Sequence, residues 1–195
     1  MNPEAQTRAP PRKVLLFSGH MIDAPDRSDP RFPPDKEAIA ADAIAKTLAE
    51  VGAGHADLAI CGGACGGDLL FAEAALARQL TLELYIPLRQ EEFLANSIDF
   101  ADANWRPRFF AVKSSASLHV TPDELGPLAA DQDAYERNNL HMLEAATRFG
   151  SEKLDFICLW NGQGSDGQGR MRHLIQQVRH GGGRIYWLDT TRLWE

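Results

Sequence analysis

Short, continuous apolar runs alternate along the chain with stretches whose apolar residues recur every three or four positions, the pattern of buried strands separated by amphipathic helices. The first run, Val14-Leu15-Leu16-Phe17, stops at Ser18-Gly19-His20 and predicts a strand buried on both faces. A polar, proline-rich loop runs from His20 to Pro34. Pro33-Pro34-Asp35 then opens a helix with Ala40, Ile44, Leu48 and Val51 on one stripe, closed by Gly52 and Gly54. Residues 57–61 predict a second strand, and a helix carrying Leu69, Ala72, Leu76 and Leu80 leads to a third at 81–86.

The middle of the chain is less periodic. Residues 91–98 and 105–116 suggest two helices before a strand around Leu118-His119-Val120. Tyr135, Asn139, Met142, Leu143 and Ala146 then fall on one helical face that Gly150 ends. Residues 154–160 form a fifth strand, Met171, Leu174, Ile175 and Val178 the core face of a last long helix, and residues 184–189 a sixth strand. Strand and helix alternate nearly throughout, so the fold class is α/β: a parallel, Rossmann-like sheet of about six strands with helices on both faces. Residues 1–12 read as a loose tail and 13–195 as a single domain, within the size one core sustains.

Charge narrows the partners. The formal net charge of -7 opposes non-specific attraction to nucleic acid and to anionic membranes, so neither is expected, and any phosphate has to be held locally. Without an apolar run of transmembrane length or a secretory core, and with three cysteines that form no dense framework, the chain reads as cytoplasmic, with assembly into a homo-oligomer left open. Cys61 and Cys65 lack the second pair that a zinc site needs, and no metal or cofactor is expected.

Chemistry concentrates where strands run into glycines. In Cys61-Gly62-Gly63-Ala64-Cys65-Gly66-Gly67-Asp68, four glycines in six positions suit close approach of a phosphate to backbone amides at a helix start; a tight turn is the plainer explanation. Gly62 and Gly67 have P-loop separation, but Asp68-Leu69 replaces the Lys and Ser/Thr that handle phosphate and magnesium, which excludes an ordinary P-loop NTPase. A G-x-G-x-x-G at Gly162, Gly164 and Gly167, with Asp189 ending the next strand, is a rival dinucleotide signal, though too near the chain's end to start a full dinucleotide-binding half.

The stretch from Cys61 to Leu70, with Glu73 after it, resembles the first motif of the SLOG superfamily, the Rossmann-like nucleotide binders that include DprA/Smf proteins and Lonely-guy phosphoribohydrolases. Phe17-Ser18-Gly19-His20 and Trp160-Asn161-Gly162 resemble the same group in order and spacing, over about residues 13–190. The resemblance implies a nucleotide contacted by Ser18, Gly19, Gly62, Gly63, Gly66 and Gly167. Around these, His20, Ala64, Gly67, Asp68, Asn161, Gly162, Gly169 and Arg170 complete the candidate ligand-binding set. His20 is as readily a satisfied loop histidine, Asp68 a first-turn acid of the helix, and Arg170 a solvated arginine. Lonely-guy enzymes carry P-G-G-x-G-T-x-x-E in the late loop, whereas residues 164–172 lack the Thr and the helix-borne Glu. The expected function is therefore binding or sensing of a nucleotide-derived small molecule. A nucleotide N-glycosidase and a scaffold without ligand are the alternatives.

Overall fold

The computed structural model describes residues 9–163 and 168–195, with side chains from Met171 onward in the second stretch. Six strands, β1 (Val14–Gly19), β2 (Leu58–Cys61), β3 (Thr81–Ile86), β4 (Ser117–Val120), β5 (Leu154–Trp160) and β6 (Arg184–Asp189), form one sheet in the order β4-β3-β2-β1-β5-β6. Every pairing is parallel, with Leu15 beside Ala59 and Phe17 beside Ile157 in register. The chain steps outward from β1 to β4, then returns to the far side of β1 to lay down β5 and β6. The strand order therefore reverses between β1 and β5, the point at which open parallel sheets leave a crevice at their carboxyl ends.

Among the described residues seven α-helices lie between the strands, α1 (Glu37–Glu50), α2 (Gly67–Ala77), α3 (Gln90–Ser97), α4 (Trp105–Lys113), α5 (Thr121–Leu125), α6 (Ala134–Thr147) and α7 (Gln168–His180), and α8 (Thr190–Leu193) follows β6. Alternate strand residues feed two cores, because side chains leave a strand on opposite faces. Leu15, Phe17, Ile157 and Leu159 pack with Ile44, Leu69 and Phe109 on one face. Leu16, Phe156 and Cys158 pack with Met142, Leu174 and Val178 on the other. The α/β class and the parallel six-stranded sheet are as expected from the sequence.

Local departures have local causes. Helix α2 ends at Ala77, so Leu80 lies beyond it, after a left-handed turn at Gln79 (φ 63°). On α6 the buried positions are Asn138, Met142, Ala145 and Ala146, one step round from the predicted face, since Asn138 goes inward to serve the backbone: its Nδ2 donates to the Tyr85 carbonyl at 2.8 Å. The 20–34 loop is a tied cover. Asp23 Oδ2 accepts from the amides of Arg31 and Phe32 at 2.8 and 2.7 Å, and Phe32 stacks on Trp194.

Candidate crevice at the strand-order reversal

The carboxyl ends of β1, β2 and β5 border a cavity of about 160 Å³. From the strand ends it is lined by Ser18, Gly19 and His20, and from the glycine loop by Gly62, Ala64 and Asp68. The opposite wall comes from α6, through Tyr135, Asn138, Asn139 and Met142, and Phe93, Trp160 and Met171 supply apolar surface. Two loops more than forty residues apart in sequence thus meet at the carboxyl ends of the strands.

The glycines do different work from one another. A Cβ on Gly62 would lie 2.7 Å from Asp68 Oδ2, so this position is bare to admit the protein's own carboxylate. Gly63 (φ +74°) faces Leu84 and Phe109, away from the crevice. Gly66 (φ +94°) lets the 20–22 segment cross the loop: a Cβ there would meet the Ile22 backbone nitrogen and stand 2.9 Å from the Met21 carbonyl carbon. Gly67 packs against Phe17 and the His20 carbonyl. Chain-to-chain approach accounts for Gly66 and Gly67, and a left-handed φ for Gly63.

Several loop amides are already used inside the fold. Ala64 N donates to Asp68 Oδ2 at 3.3 Å, Cys65 N to the Ser97 carbonyl at 2.9 Å, and Gly67 N to the His20 carbonyl at 3.0 Å. Asp68 itself sits in the first turn of α2, where the positive helix end favours a carboxylate. Burial pushes its carboxyl up to about 7 against the Ala64 and Gly62 amides that draw it down, and its Oδ1 is shielded with no hydrogen-bond partner among the described residues.

His20 is spoken for. Its Nε2 accepts from the Asn161 amide at 3.2 Å, so the neutral ring carries its proton on Nδ1. Burial first, and the charge of Arg31 second, hold its pKa down to about 4, and at neutral pH it brings no positive charge to a phosphate. The same contact ties the loop after β1 to the loop after β5 across the back of the crevice.

In the late loop, Asn161 Oδ1 accepts from Gln163 N at 2.9 Å, and Gly162 (φ +74°) turns the chain against Trp187. Trp187 Nε1 donates to the Trp160 carbonyl at 2.8 Å, which fixes the exit of β5. Gly167 lies outside the described residues, as does Gly164 of the dinucleotide pattern. Gly169 and Arg170 lie in the first turn of α7, Arg170 without a described side chain. Asp189, the acid that pattern requires, caps α8 instead, accepting from Thr191 N at 3.0 Å and Thr191 Oγ1 at 2.7 Å.

Other candidates are drawn into structure. Glu73 pairs with Arg108 at 2.7 Å, and Arg27 lies 3.3 Å from Asp23. Cys61, Cys65 and Cys158 are buried free thiols, and burial pushes the last two up to about 12. Among the described residues no group of three or more His, Cys, Asp or Glu side chains is placed to hold a metal ion, and no helix is long and apolar enough to cross a membrane. Arg31, in the 20–34 loop that the sequence offers as a cover for a ligand, borders the crevice, and so do Met21 and Tyr135, which the sequence pattern does not single out. Met21 lies in a loop with no period, and Tyr135 shares the helical spacing of a core face.

No protein-family model matches the chain, and no curated protein matches it significantly. Among solved structures it is similar to the structure of Moco Carrier Protein from Chlamydomonas reinhardtii, at 12% sequence identity and a TM-score of 0.44, over 91% of this chain and 76% of that one.

Proposed function

We propose that the crevice binds a nucleotide or nucleotide-derived phosphate ligand, and that the chain is a ligand-binding or sensing member of the SLOG superfamily. The observation that carries this reading is the convergence of Ser18, Gly19 and His20 with Gly62, Ala64 and Asp68 at the strand-order reversal. About 160 Å³ is below the 300–1,000 Å³ usual for enclosed small-molecule sites, so one ring of the ligand enters and the remainder lies along the mouth. Arg170, at the start of α7, is the cation assigned to the phosphate.

Thermal-shift and calorimetric titration against AMP, cyclic mononucleotides, ADP-ribose and NAD tests the proposal. A ligand at 100 times its Kd should raise stability by about 2.7 kcal/mol. Absence of binding across the whole set would instead favour a scaffold. Arg170→Ala should weaken the phosphorylated ligand by about 1.5–3 kcal/mol while sparing the matching nucleoside.

One observation favours a second reading, an N-glycosidase. A crevice carboxyl raised to about 7 has the pKa of a general acid working near neutrality. The missing late-loop Thr and Glu argue the other way, and long incubation with AMP should release no adenine. Turnover that disappears in Asp68→Asn would replace the binding reading with the enzymatic one.

A further inference from the structure

We propose that the part of the ligand presented to the glycine loop is a pair of sugar hydroxyls received by Asp68, and that no phosphate seats there. This rests on the crevice being a nucleotide site and says which end of the nucleotide goes in first.

A phosphate cradle needs uncommitted amides at a helix start, and this loop has given three of its amides to its own chain. Ala64 N is held by Asp68 Oδ2, Cys65 N by the Ser97 carbonyl and Gly67 N by the His20 carbonyl. The gap left by the missing Cβ of Gly62, where a phosphate oxygen would come closest, is filled by that same carboxylate at 2.7 Å. The dipole of α2 is thereby complemented from within, and a second anion would face Asp68 as a like charge. His20 cannot offset it, because its ring is neutral and its Nε2 is taken by the Asn161 amide.

What the loop lacks is a donor. Asp68 borders the crevice, and its Oδ1 has no partner among the described residues, although buried polar atoms are nearly always satisfied. An ionised carboxylate accepts at both oxygens, and a vicinal diol offers two O–H donors at matching separation. Entry of the ligand sugar first also suits a cavity of about 160 Å³, with the phosphate left toward the mouth. The burial that lifts the Asp68 carboxyl is relieved in part when donors arrive, so binding should favour its ionised form.

The test follows the Gly62 and Ala64 amide resonances of the full chain with four probes: D-ribose, AMP, 2′,3′-dideoxy-AMP and inorganic phosphate. Ribose at millimolar concentration should move both amides saturably, and phosphate alone should not. AMP should bind at least tenfold more tightly than its dideoxy analogue, and Asp68→Asn should erase that difference. Saturable movement of these amides by inorganic phosphate, equal affinities for AMP and dideoxy-AMP, or amides silent toward ribose and AMP alike would each overturn the assignment. Nucleotide binding that leaves these amides unmoved would defeat this inference and spare the proposed function. A ribose response without any nucleotide binding would do the reverse.

Discussion

Asp68 and His20 are pushed in opposite directions by the same burial, and the two shifts act oppositely on stability. The Asp68 carboxyl, raised from 3.8 to about 7, keeps in the folded chain a proton that the unfolded chain has released; its contribution is full below about pH 3.8 and is lost as pH rises through 7. His20, lowered from 6.5 to about 4, contributes fully above pH 6.5 and loses that contribution as pH falls toward 4. Between about pH 4 and 6.5 the slopes oppose one another. Asp68→Asn removes one of them, so relative to wild type its stability should rise with pH across this window, by at most about 1.4 kcal/mol per pH unit. Urea denaturation of both proteins at pH 4.5 and 6.5 reads the difference, and parallel profiles would show that the Asp68 carboxyl does not titrate there. Glycine substitutions separate two other residue-scale effects. Gly52→Ala, at φ +65° in open space, should cost about 1–2 kcal/mol, whereas Gly66→Ala adds a collision with the Met21–Ile22 backbone and should cost clearly more in the same urea titrations.

Helix α6 shows what hydrophobic periodicity conveys about an element and what it omits. Met142 and Ala146 were legible as its buried stripe, but the residue that locks it to the sheet is polar. Asn138 donates to the Tyr85 carbonyl and accepts from Thr121 Oγ1 at 2.6 Å, joining α6 to the end of β3 and the start of α5. Asn138→Ala takes the side-chain donor from the buried Tyr85 carbonyl and leaves Thr121 Oγ1 only its contact with His141 Nδ1 at 3.2 Å, and should cost about 2–4 kcal/mol in equilibrium unfolding, while Asn139→Ala, on the crevice side, should stay within about 0.5 kcal/mol. The strands were legible because runs such as 154–160 are buried on both faces, and among the described residues no helix carries seven consecutive buried positions. The short helices α5 and α8 were not, since four or five mostly polar residues carry no period. At the site, the loops after β1 and β2 were visible as glycines following strands. Which of those glycines faces the crevice was not, because a missing Cβ serves the Met21–Ile22 backbone at Gly66 as readily as it would serve a ligand.

At the scale of the whole molecule the two ends of the sheet are built differently. The crevice lies at the carboxyl ends, whereas the amino ends hold buried carboxylates that bind the strands together. Asp57 accepts from Arg12 Nε at 3.0 Å, from the Lys13 amide at 3.2 Å and from the Gly54 amide at 2.9 Å. Asp155 lies between Arg184, which donates to its Oδ1, and Lys13, 3.8 Å from its Oδ2. Both side chains are fully buried; removing Asp57 takes the acceptor from Arg12 Nε and the Lys13 and Gly54 amides, and removing Asp155 takes it from Arg184 Nε. Five residue steps along β5 carry the chain from Asp155 to Trp160, about 16 Å at 3.3 Å per step, and the parallel sheet between them is packed on both faces. Sites so far apart, with no shared partner, should contribute nearly independently. Asp57→Ala is therefore expected to lose about 3 kcal/mol or more of stability while keeping, within a factor of two, its affinity for whichever nucleotide raises the wild-type melting temperature most. Asn139→Ala, on the crevice wall, should weaken that nucleotide and leave stability nearly unchanged. Calorimetric titration and urea unfolding of the two variants give the four numbers. If Asp57→Ala weakened binding as much as Asn139→Ala did, the ligand would be reporting global stability, and the assignment of binding to the carboxyl end of the sheet would fail.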